Sequence, residues 1–228
     1  MQRSIPEYPK ETSGECLRNI CERFWNAYFR LLYDEERLVI DLKLKKLNAG
    51  LGLLSILFLI VHMGYSIFSY ITFYYNPVLK LVTAIPFMVT LCLHAVCGML
   101  TVFMQKDGSR MDLYPRQNLS TILQRVSAAL IFPLLILHIN TFSLMKASAE
   151  KGYRVFILLL ILAELVFFAV VIIHVAVSLT RGFISLGLLS SREKQRAIDR
   201  FVYLLGVLFF IIAAYSVVKG QIAMFLMG

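Results

Sequence analysis

Five segments of this chain are long and apolar enough to cross a lipid bilayer as helices. They lie at roughly 49–75, 79–104, 122–145, 155–180 and 201–225. The ~30 Å hydrocarbon core of a bilayer takes about 20 apolar residues of α-helix, and a helix satisfies its own backbone polar groups there. We therefore predict an all-α membrane protein with five transmembrane helices. Because the connections are short, consecutive helices are expected to pack antiparallel in one bundle.

Composition agrees with this class. Apolar residues make up 59% of the chain, and the mean hydropathy is +0.74. The formal charge of +9 does not call for a nucleic-acid partner, since basic residues of membrane proteins gather in cytoplasmic loops. The four cysteines form no CxxC or CxxH pattern, which disfavours a cysteine metal site or c-type haem attachment; they are Cys16, Cys21, Cys92 and Cys97.

Residues 1–46 differ from the rest of the chain. They are polar and mixed in charge, and they lack the apolar core of a cleavable signal. Within them, 14–46 is amphipathic and places Trp25 and Phe29 among charges. This pattern is typical of a helix at the membrane surface, with a docking segment as the alternative. We predict a cytoplasmic N-terminal segment at 1–46 and a five-helix transmembrane domain at 47–228.

The lysines and arginines predict the orientation. One set of connections is rich in them: Lys43, Lys45 and Lys46, then Lys106, Arg110 and Arg116, then Arg181, Arg192, Lys194, Arg196 and Arg200. The opposite set has fewer: Lys80, then Lys146, Lys151 and Arg154 beside Glu150, then Lys219. By the positive-inside rule the N-terminus lies in the cytoplasm and the C-terminus outside.

The four histidines lie one in each of the first four segments, at His62, His94, His138 and His174. An imidazole is costly to place in a bilayer and usually has a partner there. Neutral imidazole is a good iron ligand, and a haem held by two of them needs both at one depth on facing helices. The alternative is a set of core histidines bonded to backbone carbonyls.

Depth in the membrane suggests how these histidines pair. At ~1.5 Å per residue, His174 lies about 10 Å from cytoplasmic Arg181, and His94 about 18 Å from Lys106. By the same measure His138 lies about 20 Å from Arg125, and His62 about 24 Å from Lys46. We predict an inner pair of His94 with His174 and an outer pair of His62 with His138.

The segments also repeat. HAVCGM at 94–99 and HVAVSL at 174–179 each place a small residue four positions after the histidine, on the same helix face. The first and third segments both run from small polar residues through an apolar stretch to a histidine, as LNAGLGLLSILFLIVH and RVSAALIFPLLILH. Two copies of a helical hairpin would form a four-helix haem-binding bundle, with the fifth helix added.

Three further polar residues suit such a site. Arg181 lies two turns beyond His174 on the same face, and Arg125 begins the third segment; both suit haem propionates, with interfacial anchoring as the alternative. Glu164 lies well inside the fourth segment, ten residues outward from His174. An intramembrane carboxyl is a functional candidate, here for proton transfer at a quinone, and a neutral core glutamate is the alternative.

From about 46 to 226 the sequence resembles the dihaem cytochrome b membrane-anchor subunit of the succinate dehydrogenase and fumarate reductase family. The resemblance is carried by LHAVCGM, by LQRVSAALIFPLLILH, and by the fourth histidine followed by a basic, glycine-containing turn. It implies the N-in orientation, two b haems paired as above, and a quinone, menaquinone rather than ubiquinone, towards the outer side. It places Arg125, and also Thr121 and Ser127, near haem propionates or quinone.

The resemblance also implies partners and a location. A flavoprotein and an iron–sulfur subunit would bind on the cytoplasmic side, in an assembly that can form a dimer of heterotrimers. The membrane would be the cytoplasmic membrane of a bacterium or archaeon. The chain departs from the family at Ser178, where glycine is frequent, and at Ile172, where quinol-oxidising fumarate reductases carry glutamate.

Two other functions remain open from the sequence. One is the cytochrome b subunit of another respiratory dehydrogenase, which the histidine spacing and the LQRVS stretch disfavour. The other is a haem-free transporter or assembly protein that uses the histidines in a proton relay. Transporters often have helices broken by glycine or proline around a midplane site, whereas we expect Pro133 to be the only proline well inside a span.

Overall fold

A computed structural model describes residues 13–104 and 115–227, and within these ranges the chain is helical with no strand. The helices are α1 Ser13–Thr72, α2 Pro77–Met104, α3 Pro115–Glu150, α4 Arg154–Ser185 and α5 Arg192–Phe225. The chain divides into two compact units, Met1–Lys43 and Leu44–Gly228. The amphipathic pattern predicted at 14–46 falls mostly on side chains outside the described ones, and it stays a prediction.

Five stretches of these helices are long and apolar enough to cross a membrane. They are Leu42–Thr72, Pro77–Val102, Leu119–Glu150, Arg154–Ser185 and Arg192–Phe225. The prediction of an all-α chain with five apolar helices is therefore confirmed, and it indicates a multi-pass membrane protein. The N-in orientation stays a prediction.

The turn between α1 and α2 is built by Asn76. Its side-chain oxygen accepts hydrogen bonds from the backbone N–H groups of Val78 and Leu79, at 2.9 and 3.2 Å. This N-cap, followed by proline at the first helical position, is a strong helix start. The Tyr65 hydroxyl binds both the N–H and the carbonyl of Asn76, each at 2.8 Å. As a result α1 ends at Thr72, slightly earlier than the sequence suggested.

Proline lies inside two of the helices, Pro86 in α2 and Pro133 in α3. The expectation that only Pro133 is inside a span was therefore wrong. A proline removes one helical hydrogen bond, yet neighbouring groups in a membrane helix can re-satisfy the freed backbone. The group that Pro86 frees is the Val82 carbonyl; the buried Thr90 hydroxyl donates instead to the Pro86 carbonyl, at 2.8 Å, and α2 continues unbroken to Met104.

The apolar core lies where α3 and α4 meet α5. Met145 and Ile157 are fully buried there, and Leu160 and Ile161 almost so. The buried Ser148 hydroxyl there donates to the Leu144 carbonyl four residues earlier, at 2.7 Å, so it needs no partner outside its helix. Many large apolar side chains face outward, as expected for a surface against lipid.

Candidate functional site

The rings of His94 and His174 lie next to each other between α2 and α4. Their centroids are 6.4 Å apart, and the ring planes are inclined by 66°. His94 is held from α1, since its Nδ1 lies 3.0 Å from the Asn48 carbonyl oxygen. A Cβ on Gly52 would lie 3.0 Å from His94 Cε1. The glycine therefore lets the ring of His94 lie directly against the α1 backbone.

His174 is held from α3 in the same way. Its Nδ1 lies 3.0 Å from the Ser127 hydroxyl oxygen and 3.2 Å from the Gln124 carbonyl oxygen. Ser127 donates its own hydrogen to the Leu123 carbonyl at 2.6 Å, so its oxygen is free to accept from the ring. We call His94, His174, Asn48, Gln124 and Ser127 the inner cluster.

These hydrogen bonds decide the tautomer of both rings. A backbone carbonyl can only accept a hydrogen bond, so Nδ1 of His94 and Nδ1 of His174 must each carry the hydrogen. In a neutral imidazole the other nitrogen, Nε2, then presents a lone pair. This is the form in which histidine binds a metal, with its ring N–H donated to a nearby carbonyl.

The spacing of the two rings fits one metal ion between them. Two metal–nitrogen bonds of ~2.0–2.1 Å account for about 4 Å of the 6.4 Å between the ring centroids. The remainder is roughly the distance from each bonded nitrogen to the centroid of its own ring, counted twice.

Nearby, the buried atoms Asn48 Oδ1 and Ser178 Oγ have no hydrogen-bond partner among the described residues. The described residues hold no group of three or more His, Cys, Asp or Glu that could bind a metal; a haem iron needs only two protein ligands.

We call the other two histidines, His62 and His138, together with Glu164 the outer cluster. His138 of α3 stacks on Phe167 at 4.8 Å between centroids, and its Nδ1 lies 2.7 Å from Glu164 Oε2 of α4. His62 of α1 stacks on Phe87 of α2 at 6.0 Å, with its Nδ1 3.5 Å from the Thr83 hydroxyl. No ring contact joins His62 to His138 among the described residues, so the pairing of these two histidines stays a prediction.

The remaining predicted residues lie around the inner cluster on α3 and α4. Arg181 donates to the side-chain oxygen of Gln124 at 2.8 Å, next to the carbonyl that holds His174. Ser127 contacts His174 directly. Arg125 is exposed, and Thr121 is half-buried one turn earlier in α3.

Sequence reasoning missed Asn48, Gly52 and Gln124. Asn48 and Gly52 stand in LNAGLG, which we read only as a run of small polar residues opening the first segment. A polar residue followed by glycine one turn later is a usable signal for a close helix contact. Asn48 and Gln124 act through their backbone carbonyls, and no side-chain pattern indicates that role.

Comparisons with known proteins assign no family to the chain. No family model matches it, and neither a curated protein nor a solved structure is significantly similar to it.

Proposed function

We propose that this protein is a membrane cytochrome b subunit that carries two b haems and passes electrons between a cytoplasmic partner and quinone. The observation that carries the proposal is the inner cluster. The ring centroids of two imidazoles from facing helices lie 6.4 Å apart, and both rings have the Nε2 lone pair that iron requires.

The chain's own residues prepare this site. The carbonyls of Asn48 and Gln124 fix the tautomer of His94 and His174 and keep the rings from rotating. Gly52 provides room for the His94 ring. A bound haem would supply one-electron transfer, which none of these side chains can perform. Arg181 and the exposed Arg125 offer positive charge for its propionates at this end of the bundle.

The outer cluster supports a second haem. His62 and His138 come from α1 and α3, the two helices that contribute no ligand to the inner pair. Glu164 Oε2 lies 2.7 Å from His138 Nδ1 and would accept the ring N–H of a His138 that binds metal through Nε2, which is the usual arrangement behind a metal-bound histidine. Two haems at two depths connect both faces of a ~30 Å hydrocarbon core better than one carrier could.

The proposal extends to partners through the family resemblance. Electrons would pass between the haems and a cytoplasmic flavoprotein and iron–sulfur pair of the succinate dehydrogenase or fumarate reductase type, which would dock on the basic connections near the inner cluster. A quinone of the menaquinone type would react towards the outer face. Glu164 is the candidate for the proton step there, and the protein would belong to a bacterial or archaeal cytoplasmic membrane.

Haem content tests the proposal. The full chain, purified from membranes in mild detergent, should contain about two b haems per chain by the pyridine haemochromogen assay. His94→Ala and His174→Ala should each remove one haem. The matched control is Asn140→Ala, which removes an exposed polar side chain close to His138 that bonds only its own helix; it should retain both. A wild-type chain without haem would refute the proposal and favour the transporter alternative.

A further inference from the structure

The acceptors that hold the histidine rings differ between the two clusters. In the inner cluster the ring N–H groups meet neutral oxygens, namely the carbonyls of Asn48 and Gln124 and the hydroxyl of Ser127. In the outer cluster, His138 meets a carboxyl group, that of Glu164, at 2.7 Å. The two clusters thus place different acceptors behind their ligands, neutral oxygens in the inner cluster and an ionisable carboxyl group in the outer one.

The Glu164 carboxyl group is shielded from its surroundings. Its side chain is 4% exposed, whereas that of His138 is 32% exposed. Phe167 stacks on the His138 ring at 4.8 Å, and Phe168 lies edge-on at 6.1 Å. Such an apolar setting strengthens a charge-assisted hydrogen bond, because the local dielectric constant is low.

We infer that Glu164 is a positioning residue that lowers the reduction potential of the outer haem through the Nδ1–H of His138. The inference rests on the proposed function. A ring bound to iron through Nε2 carries its hydrogen on Nδ1, so Glu164 Oε2 would accept that hydrogen bond, most strongly as a carboxylate. This makes the imidazole a stronger electron donor, which favours ferric over ferrous iron.

Among the described residues, the printed acceptors of the inner ligands are neutral oxygens and include no carboxyl group. The charged Arg181 bonds the side chain of Gln124 at 2.8 Å. Iron held by His62 and His138 would therefore have a lower reduction potential than it would with two imidazole ligands and no carboxylate behind them. Quinone reduction near the outer face would benefit from that bias.

Substitution of Glu164 by glutamine tests the effect of the negative charge alone on the reduction potential of the outer haem. Glu164→Gln keeps the size of the side chain and an oxygen that can accept from His138, but it removes the negative charge. Two haem components are resolved by redox titration of the purified full chain, and the outer one is identified as the component missing from His138→Ala. In Glu164→Gln we expect the ratio of reduced to oxidised outer haem at a fixed potential to rise at least tenfold, a shift of 59 mV for one electron.

Controls separate this effect from a structural one. In Glu164→Gln the ratio of reduced to oxidised inner haem at a fixed potential should change less than threefold. Thr141→Val removes a buried hydroxyl three residues from His138, one that bonds only the Leu137 carbonyl. This variant should change the ratio of reduced to oxidised haem less than threefold for both haems. Glu164→Ala, which also removes the charge, is titrated if the glutamine variant does not retain the outer haem, with the same tenfold threshold.

The outcomes distinguish the two proposals. A wild-type chain without haem would refute the proposed function. Two haems in the wild type, with an outer potential unchanged by Glu164→Gln, would refute this inference alone. Loss of the outer haem from both Glu164 variants would also overturn the tuning role and would show that the site needs Glu164 for binding.

Discussion

The ring centroids of His94 in α2 and His174 in α4 lie 6.4 Å apart, and each ring is held by a backbone carbonyl from another helix. Asn48 of α1 supplies one carbonyl and Gln124 of α3 the other. The inner cluster thus exists only when all four helices are assembled. This dependence makes the site sensitive to substitutions far from either histidine in the sequence.

The two pairs should be separable by spectroscopy. Replacing His94 or His174 by alanine should remove the same haem component, because both rings would bind one iron in the proposed function. Replacing His62 or His138 should remove the other component. The measurement is the low-temperature absorption spectrum of the reduced chain together with a redox titration. Loss of the same component from His138→Ala and His174→Ala would contradict this pairing.

Gly52 should be required for the inner haem. Even a Cβ there would lie 3.0 Å from His94 Cε1, so Gly52→Leu should displace the ring and reduce the inner haem at least tenfold. Gly50→Leu is the matched control, since nothing lies within 4 Å of a Cβ at that position on the same helix. Haem content per folded chain is the measurement. Equal inner haem in the two variants would show that His94 needs no such close approach.

Gly220 should support the packing of α5 on α1. A Cβ on Gly220 would overlap the ring of Tyr70, whose hydroxyl accepts from Gln221 Nε2 at 3.4 Å. Gly220→Ala should lower the free energy of unfolding by about 1–3 kcal/mol, the usual cost of overpacking. The measurement is the thermal unfolding midpoint in detergent.

Two companion variants define this effect. Gly64→Ala, where a Cβ has open space, should leave the midpoint unchanged or raise it slightly, because alanine has the higher helix propensity. Tyr70→Ala combined with Gly220→Ala should destabilise by less than the sum of the two single variants. Strict additivity would mean that the two residues do not interact.

The predicted orientation can be tested by labelling. In a chain whose four native cysteines are replaced, a single cysteine at Ser191 should react with a membrane-impermeant thiol reagent only after the membrane is opened. A single cysteine at Lys151 should react in intact cells. These expectations follow from the excess of Lys and Arg on the side of Ser191. The reverse pattern would overturn the N-in orientation.

The sequence alone determined the number and type of the helices and the helix on which each histidine lies. Hydropathy identifies a transmembrane helix well, because lipid leaves the backbone no other partner than itself. The depths of the four histidines along their helices also indicate that His94 pairs with His174. The position of Glu164, ten residues outward from His174, placed it at the level of the outer histidines.

Tertiary structure decided what holds each ring. The carbonyls of Asn48 and Gln124 and the hydroxyl of Ser127 reach their histidines only through the packing of neighbouring helices. Every residue has a carbonyl, so the sequence cannot mark which ones accept these bonds. The contact of Glu164 with His138 depends likewise on how α3 rotates against α4. Hydropathy specifies that a helix is in the membrane, but helix rotation follows from close packing between side chains.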